Sequence, residues 1–91
     1  MASLALETLL LYIAANCRRL RKRRGLTQEA LAEVAGLDLR FVQKIESGRH
    51  NMSLSALLAV ANALDVPPGL LFRSSTMPEV KRGRPREKRP T

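Results

Sequence analysis

A stretch of twenty residues, Gln28 to Ser47, constrains the fold more than any other part of this 91-residue chain. Its sequence, QEALAEVAGLDLRFVQKIES, predicts a helix of about two turns over residues 28–35 and a second helix over residues 38–47. Gly36 stands at the tight bend between them. Ala32 is small, as a residue must be where two crossing helices touch. The stretch therefore predicts two short helices packed across a sharp turn.

The second of these helices has an inner and an outer face. Val42 and Ile45 lie three residues apart and should pack on Leu31 and Ala32 of the first helix. The outer face then carries four residues: Leu39, Arg40, Gln43 and Lys44. A helix fixed by packing on one side and carrying Arg, Gln and Lys on the other can enter the major groove of DNA.

Positive charge is concentrated in two blocks. The chain has 16 Lys and Arg against 8 Asp and Glu, which gives a formal net charge of +8. One block spans residues 18–24 and the other residues 81–89, so basic residues flank the predicted helix pair on both sides. This distribution indicates a polyanionic partner and fast, salt-sensitive association. A solvated helix face and a tail that confer only solubility are the alternative.

The residue types offer little for catalysis, metal binding or membrane insertion. Cys17 is the single cysteine and His50 the single histidine, so we expect no enzyme, metal site, cofactor or intramolecular disulfide. The apolar run over residues 4–15, about twelve residues, is too short to span a bilayer. No basic residue precedes it, unlike in a signal peptide. We expect a soluble protein in a reducing cytoplasm.

Helical patterns continue on both sides of the central pair. A first helix should begin between residues 3 and 9 and run to residue 24. Its inward stripe is expected to be Ile13, Cys17, Leu20 and Arg24. Thr27 and Asp38 are good N-caps for the second and third helices, and Gly48 suits a left-handed residue that closes the third.

The remaining helices are expected between residues 53 and 72. Ser53 should cap a fourth helix over residues 54–64. Its inner face is expected to be Leu57, Leu58, Ala61 and Leu64. Pro67-Pro68 suits the start of a short fifth helix, residues 68–72, and three residues there should close the core: Leu70, Leu71 and Phe72. Beyond residue 73, Ser, Thr, Pro, Gly and alternating charge predict a disordered tail.

Together these elements resemble a known family, the phage repressor and Cro-like (Xre-type) helix-turn-helix domains. Three segments carry the resemblance: LRKRRGLTQEALAEVAGL at residues 20–37, IESG at 45–48 and NMSLSALLAVANALDV at 51–66. It implies an all-α, compact five-helix lambda-repressor-like domain that binds double-stranded DNA, usually as a homodimer.

The chain then divides into three parts. The helix-turn-helix domain spans residues 13–73. Residues 1–12 form an apolar helical extension that is a candidate dimer contact, because their leucines exceed what the core needs. Residues 74–91 form the basic tail.

The resemblance also implies roles for individual residues. Gln28, Ser47 and Arg49 stand where the family contacts DNA phosphates, and the free N–H groups of a helix N-terminus support this for Gln28. Arg21 and Glu46 match a buried, structural ion pair between the first and third helices. The base-contacting positions are occupied by Leu39, Arg40, Gln43 and Lys44.

Each base-contacting residue has an alternative role. Arg40 can bond guanine O6 and N7 or a phosphate, and Lys44 has the same two options. Gln43 can bond adenine or remain solvated. Leu39 stands where many relatives carry a polar residue, and it can pack on a thymine methyl or on apolar neighbours.

The tail contains a second motif, Arg82-Gly83-Arg84-Pro85, which resembles the AT-hook of minor-groove-binding proteins. Gly83 lets the backbone sit deep in a narrow groove, where Arg82 and Arg84 can meet thymine O2 and adenine N3. Pro85 favours an extended exit. Phosphate contact by a generic basic tail is the alternative.

The leading hypothesis is therefore a sequence-specific transcriptional regulator at the nucleoid. It would repress by excluding polymerase, or activate by recruiting it. A restriction–modification controller and an antitoxin that represses its own operon share this DNA chemistry. The alternative is an antitoxin or adaptor whose main partner is a protein, such as a toxin or a polymerase subunit.

Overall fold

The computed structural model describes residues 3–75. It contains four α-helices and one 3₁₀ helix: α1 (Leu6–Arg23), α2 (Gln28–Ala35), α3 (Leu39–Ser47), α4 (Leu54–Ala63) and the 3₁₀ helix (Pro68–Phe72). This part of the chain has no strand, and the predicted all-α helix-turn-helix fold is confirmed. The predicted fifth helix forms at the predicted place, but as the tighter 3₁₀ form. None of the helices within residues 3–75 has the length and apolar character needed to cross a bilayer.

The core lies among all five helices. The largest fully buried apolar side chains are Leu31, Val42, Ile45, Val60, Leu64 and Leu71. Helix α3 packs against both α1 and α2, and α2 also packs against α4. Burying one such side chain contributes about 1.5–3 kcal/mol. The inner face of α3 is therefore held firmly while its outer face stays in solvent.

Most helix ends form as predicted, with one exception. Thr27 Oγ1 accepts the Ala30 N–H at 3.0 Å, and Ser53 Oγ accepts the Ala56 N–H at 3.1 Å. Asp38 occupies the N-cap position of α3, but the prediction that its side chain caps the helix is wrong. The Asp38 side chain is exposed to water, and its backbone carbonyl accepts the N–H groups of Phe41 at 3.0 Å and Val42 at 3.2 Å.

Three residues predicted to face inward are exposed instead. Arg24 lies beyond the last residue of α1 and is exposed, with its Nη1 donating to the Leu64 carbonyl at 3.3 Å. Leu58 is 47% exposed because Val60 completes the inner face of α4 in its place. Phe72 is 38% exposed at the edge of an apolar groove rather than at the base of the core.

Asn16 is a polar residue buried within the apolar stripe of α1. Its Nδ2 donates to the carbonyls of Leu71 at 3.0 Å and Arg73 at 2.8 Å. These two bonds tie the end of the 3₁₀ helix to the middle of α1. They fix where the chain leaves the domain.

Candidate nucleic-acid interface

The outer face of α3 presents three polar side chains to solvent. Arg40, Gln43 and Lys44 are exposed, and their spacing of three and four residues places them on one face of the helix. Leu39, the first residue of α3, is half-buried. Opposite them, Val42 is fully buried against the core. The arrangement offers one guanidinium, one carboxamide and one ammonium group to a ligand edge.

The turn before α3 fixes the angle at which this face is presented. Gly36 has φ +72°, a left-handed conformation that favours glycine. The Leu37 N–H donates to the Ala32 carbonyl at 2.9 Å, which closes α2 in the manner of a Schellman motif. Ala32 is only 4% exposed at the crossing of α2 with its neighbours. A short, hydrogen-bonded turn of this kind leaves α3 little freedom to swing.

A buried carboxylate on α3 is held by α1. Arg21 Nε donates to Glu46 Oε2 at 2.7 Å, and Arg21 Nη2 donates to Glu46 Oε1 at 3.1 Å. The third guanidinium nitrogen, Nη1, donates to the Leu26 carbonyl at 2.8 Å in the loop before α2. Paired, two-pronged geometry of this kind gives strong, directional charge-assisted bonds. The structure thus brings Arg21 and Glu46 together at the junction of α1, α2 and α3.

Two further residues converge on the same carboxylate. Gln28 Nε2 donates to Glu46 Oε1 at 2.9 Å, and Cys17 Sγ donates to Glu46 Oε2 at 3.5 Å. Burial, reinforced by the negative charge of Glu46, raises the pKa of the Cys17 thiol above its ordinary value. No sequence pattern links Glu46 with residues 18 and 29 positions away. Gln28 and Cys17 could not have been placed on this network without the tertiary fold.

The hydroxyl group of Ser47, the last residue of α3, closes the end of that helix. Ser47 Oγ donates to the Lys44 carbonyl at 2.6 Å and accepts the Arg49 N–H at 3.3 Å. Gly48 follows with φ +82° and is buried against Leu11 of α1. Arg49 is exposed directly after this turn. The Ser47 hydroxyl is therefore oriented by the helix end, and the Arg49 side chain is presented to solvent.

His50 contributes a contact for which the sequence has no signal. Its ring meets the Phe41 ring edge-on, with centroids 4.9 Å apart and an interplanar angle of 83°. This pair braces the loop after α3 against the first turn of that helix. Phe41 is half-buried and packs on the core, consistent with a packing role.

One predicted site lies outside the described residues. The motif Arg82-Gly83-Arg84-Pro85 follows residue 75, the last one that the structure describes.

Comparison with known proteins identifies relatives with the same pattern. The HTH_3 helix-turn-helix family model matches residues 18–71. The immunity repressor protein of Bacillus phage phi105 is 38% identical over 65 residues, which are 71% of this chain and 45% of the phage protein. The control protein C.SmaI of Serratia marcescens is 39% identical over 62 residues, which are 67% of this chain and 74% of that protein. This chain thus spans less than half the length of the phage relative.

Solved structures share the fold as well. The restriction-modification controller protein C.AhdI from Aeromonas hydrophila matches with a TM-score of 0.67 at 43% identity. The match covers 69% of this chain and 96% of the controller. The family match begins at residue 18, so the apolar first half of α1 lies before it.

Proposed function

The chain belongs to the HTH_3 family of helix-turn-helix proteins, and on that premise we propose that it is a sequence-specific, double-stranded-DNA-binding transcriptional regulator that acts as a homodimer. The family resemblance predicted from the sequence is thereby confirmed. We propose no catalytic role, no metal and no cofactor. The protein would act at the nucleoid, in the cytoplasm, where its DNA ligand is found.

The observation that carries the proposal is the outer face of α3. Arg40, Gln43 and Lys44 project from a helix whose other side is locked by buried Val42 and by the Glu46 carboxylate. In a major groove, Arg40 would bond guanine O6 and N7, Gln43 adenine, and Lys44 guanine or a phosphate. Half-buried Leu39 would contact a thymine methyl at the start of the helix.

Three residues around α3 would position it by binding the DNA backbone. Gln28 stands at the N-terminus of α2, where free N–H groups and the helix dipole favour an anion. Ser47 and Arg49 flank the turn after α3, and Arg49 is exposed. Such contacts fix register on the duplex but do not read its sequence.

Repression is the mode of regulation that we propose. Occupying a promoter with a dimer excludes polymerase without any further domain. The phage relative is named an immunity repressor and the bacterial relative a control protein. A controller-type regulator, which would recruit polymerase where its site lies upstream of the promoter, would use the same interface.

The homodimer would form through an apolar groove at the N-terminal end of α1. Its walls come from four parts of the fold: Leu6, Leu9, Leu10 and Ile13 of α1, Asn51 and Met52 of the loop before α4, Leu54 and Leu57 of α4, and Phe72 of the 3₁₀ helix. Leu54 is 77% exposed and Leu6 is 49% exposed, so the groove and its rim form one exposed apolar surface. An apolar surface of this kind marks an interface.

The charge distribution favours a second copy of the chain as the partner that binds in the groove. The residues lining the groove include no Lys or Arg, although the chain carries a net charge of +8. Two such chains repel least where positive charge is absent. The groove also lies on α1, α4 and the 3₁₀ helix, so pairing through it would leave α3 of both copies open to DNA.

The tail motif would add a minor-groove contact. We assign Arg82, Gly83, Arg84 and Pro85 to an AT-rich tract beside the operator, tethered to the helix-turn-helix. Tethering makes the second contact intramolecular, so it strengthens binding even if each contact is weak.

The second candidate function is an antitoxin or adaptor whose main partner is a toxin or a polymerase subunit. The exposed leucines of the groove are the observation that favours it. In that case the groove would hold the partner protein, and the purified chain would remain monomeric.

Selection of bound duplexes from a random DNA pool tests the proposed function. The full chain should enrich an inverted repeat with half-sites separated by about one helical turn or a multiple of it. An Arg82→Gln/Arg84→Gln variant should enrich the same repeat but lose any flanking AT tract. Failure of the full chain to enrich any sequence would overturn the proposal and favour the partner-protein function.

A further inference from the structure

The C-terminal half of α1 carries positive charge that no acidic side chain neutralises within residues 3–75. Arg19, Lys22 and Arg23 are exposed on this helix. The one ion pair in the described part of the chain joins Arg21 to Glu46, on the buried side. We name the three exposed residues, together with Arg73, whose carbonyl accepts a hydrogen bond from Asn16 one turn before Arg19, the α1 ridge. Arg73 is also exposed.

The ridge residues repel one another. Arg19 and Arg23 are four residues apart, as are Arg18 and Lys22, so both pairs of like charges face each other across one helical turn. The C-terminal end of the helix dipole offsets part of this repulsion. Arg18 borders the ridge, and its Nε is shielded from solvent and has no acceptor among residues 3–75. A polyanion along the ridge would remove the repulsion.

The ridge and the apolar groove lie at opposite ends of α1. The helix has 18 residues and is therefore about 27 Å long. Leu6 lines the groove at its first residue, whereas Arg23 is its last. If the groove joins two copies about a two-fold axis, the ridge of each copy points away from that axis. Any DNA that the ridge contacts would then lie beyond the outer end of the half-site.

The ridge is also continuous with the backbone-contacting end of α2. Four residues separate Arg23 from Gln28, and Arg21 Nη1 clamps the intervening loop at the Leu26 carbonyl. The segment after the 3₁₀ helix runs toward the same end of α1. Asn16 holds the Leu71 and Arg73 carbonyls, and Arg19 Nη1, one turn further along α1, donates to Ser75 Oγ at 3.3 Å.

We infer that the α1 ridge is a second DNA site, which binds phosphates of the duplex that flanks the operator. The inference rests on the proposed function and extends it. Duplex DNA is favoured over an acidic protein because the ridge continues the Gln28 edge that would meet the same backbone. The three ridge residues on α1 are two Arg and one Lys with no aromatic residue beside them in the sequence, which suits phosphate rather than unpaired bases.

The test compares two duplexes and one double variant of the full chain. One duplex is trimmed to the two half-sites, and the other adds about one turn, about 10 bp, of random sequence at each end. The salt slope is the fall in the logarithm of the binding constant per unit rise in the logarithm of the salt concentration, and each phosphate contact contributes about 0.9 to it. Arg19→Gln/Arg23→Gln should therefore lower the salt slope on the extended duplex by about 1.8. A rise from about 50 to about 200 mM salt should then weaken the wild-type chain about 12-fold more than the variant. On the trimmed duplex the two proteins should match.

Two matched variants separate charge from structure. Arg19→Lys/Arg23→Lys retains both charges and should restore the wild-type slope. Ser75→Ala removes the hydrogen bond from Arg19 without changing charge and should leave the slope unaltered. An unchanged slope for the Gln variant on the extended duplex, or an equal loss on both duplexes, overturns the inference.

The proposed function can fail independently of the ridge. If the full chain selects no sequence, the salt slope is measured on a random duplex of the extended length. A drop of about 1.8 for the Gln variant there would keep the ridge as a DNA site without an operator. If the ridge instead captures an acidic protein, the slope on DNA will be unchanged and the inference is lost.

Discussion

Gln28 Nε2 donates a hydrogen bond to Glu46 Oε1 at 2.9 Å, which ties the first residue of α2 to α3. The same carboxylate accepts Arg21 Nε at 2.7 Å from α1. One buried charge therefore sets the relation between the proposed phosphate contact and the proposed base contacts. Its removal should disturb stability and DNA binding together.

Breaking this ion pair on one side should be strongly destabilising. Arg21→Met leaves the Glu46 carboxylate, 2% exposed, buried without its cation, which should cost about 3–5 kcal/mol in the free energy of unfolding. Urea denaturation followed by circular dichroism measures it. The double variant Arg21→Met/Glu46→Leu removes both charges and should recover much of the loss. If the loss of stability in the double variant equals the sum of the losses in Arg21→Met and in Glu46→Leu, the pair is not coupled.

Arg40 and Arg49 should differ in what they contribute to binding. Arg40→Ala should relax the preference for guanine at one operator position, which is worth about 1–3 kcal/mol of discrimination. Arg49→Ala should weaken binding to all sequences alike and lower the salt slope by about 0.9. Competition binding with single-base operator variants measures both. A uniform loss for Arg40→Ala would make Arg40 a phosphate contact.

Stability should fall at alkaline pH because of Cys17. Its pKa is raised in the folded state by burial and by Glu46, so the folded protein keeps the thiol proton after the unfolded chain has lost it. Above about pH 8.5 the free energy of unfolding should therefore fall, by up to about 1.4 kcal/mol per pH unit. Below that pH Cys17 does not make the free energy of unfolding depend on pH. Denaturation at pH 7.5, 8.5 and 9.5 should show a steeper fall for wild type than for Cys17→Ala, and equal slopes would contradict the prediction.

Two glycines in left-handed conformation offer a matched comparison. Gly36→Ala should cost about 1–2 kcal/mol from backbone strain alone, since a Cβ there meets no atom within 4 Å. Gly48→Ala carries the same strain, and its Cβ would also lie 2.7 Å from Leu11 Cδ2. Thermal unfolding should rank Gly48→Ala as the less stable. Adding Leu11→Ala should bring the two closer together, and no change on that addition would rule out the contact as the cause.

Leu54 should be required for the homodimer that we propose. Leu54→Glu should shift the chain from dimer to monomer, because it places charge in an apolar interface. Val34→Glu is the control, since Val34 on α2 is 62% exposed and does not line the groove. Analytical ultracentrifugation at several protein concentrations measures both. A wild-type monomer at every concentration would contradict the dimer, and a dimer unaffected by Leu54→Glu would place its interface elsewhere.

The local elements could be predicted from the sequence because their causes are local. Thr27, Ser53 and Gly48 act on backbone groups within a few residues, and their roles follow from residue type and position. The periodicity of Val42 and Ile45 likewise fixed which face of α3 is buried. The Arg21–Glu46 pairing was expected from the family resemblance, and the positions of Arg21 beside the apolar stripe of α1 and of Glu46 beside Ile45 agree with it.

The predictions that were wrong concern competition between neighbours. Leu58 and Val60 are both apolar and both lie near the inner edge of α4, and only the packing of α4 on α2 and the 3₁₀ helix decides which is buried. Arg24 does not belong to the inward stripe of α1, because α1 ends one residue earlier than predicted. Asp38 has the chemistry of a cap, yet its side chain remains in water.

Local residue patterns therefore predicted the helices, the Thr27 and Ser53 caps and the polar face of α3, because propensity, capping and periodicity act over a few residues. The tertiary structure alone decided that Cys17, Arg21 and Gln28 share one carboxylate. It also decided that Leu6, Leu54 and Phe72 form one groove. These contacts join residues far apart in the chain, and they exist only once the helices have packed at fixed angles.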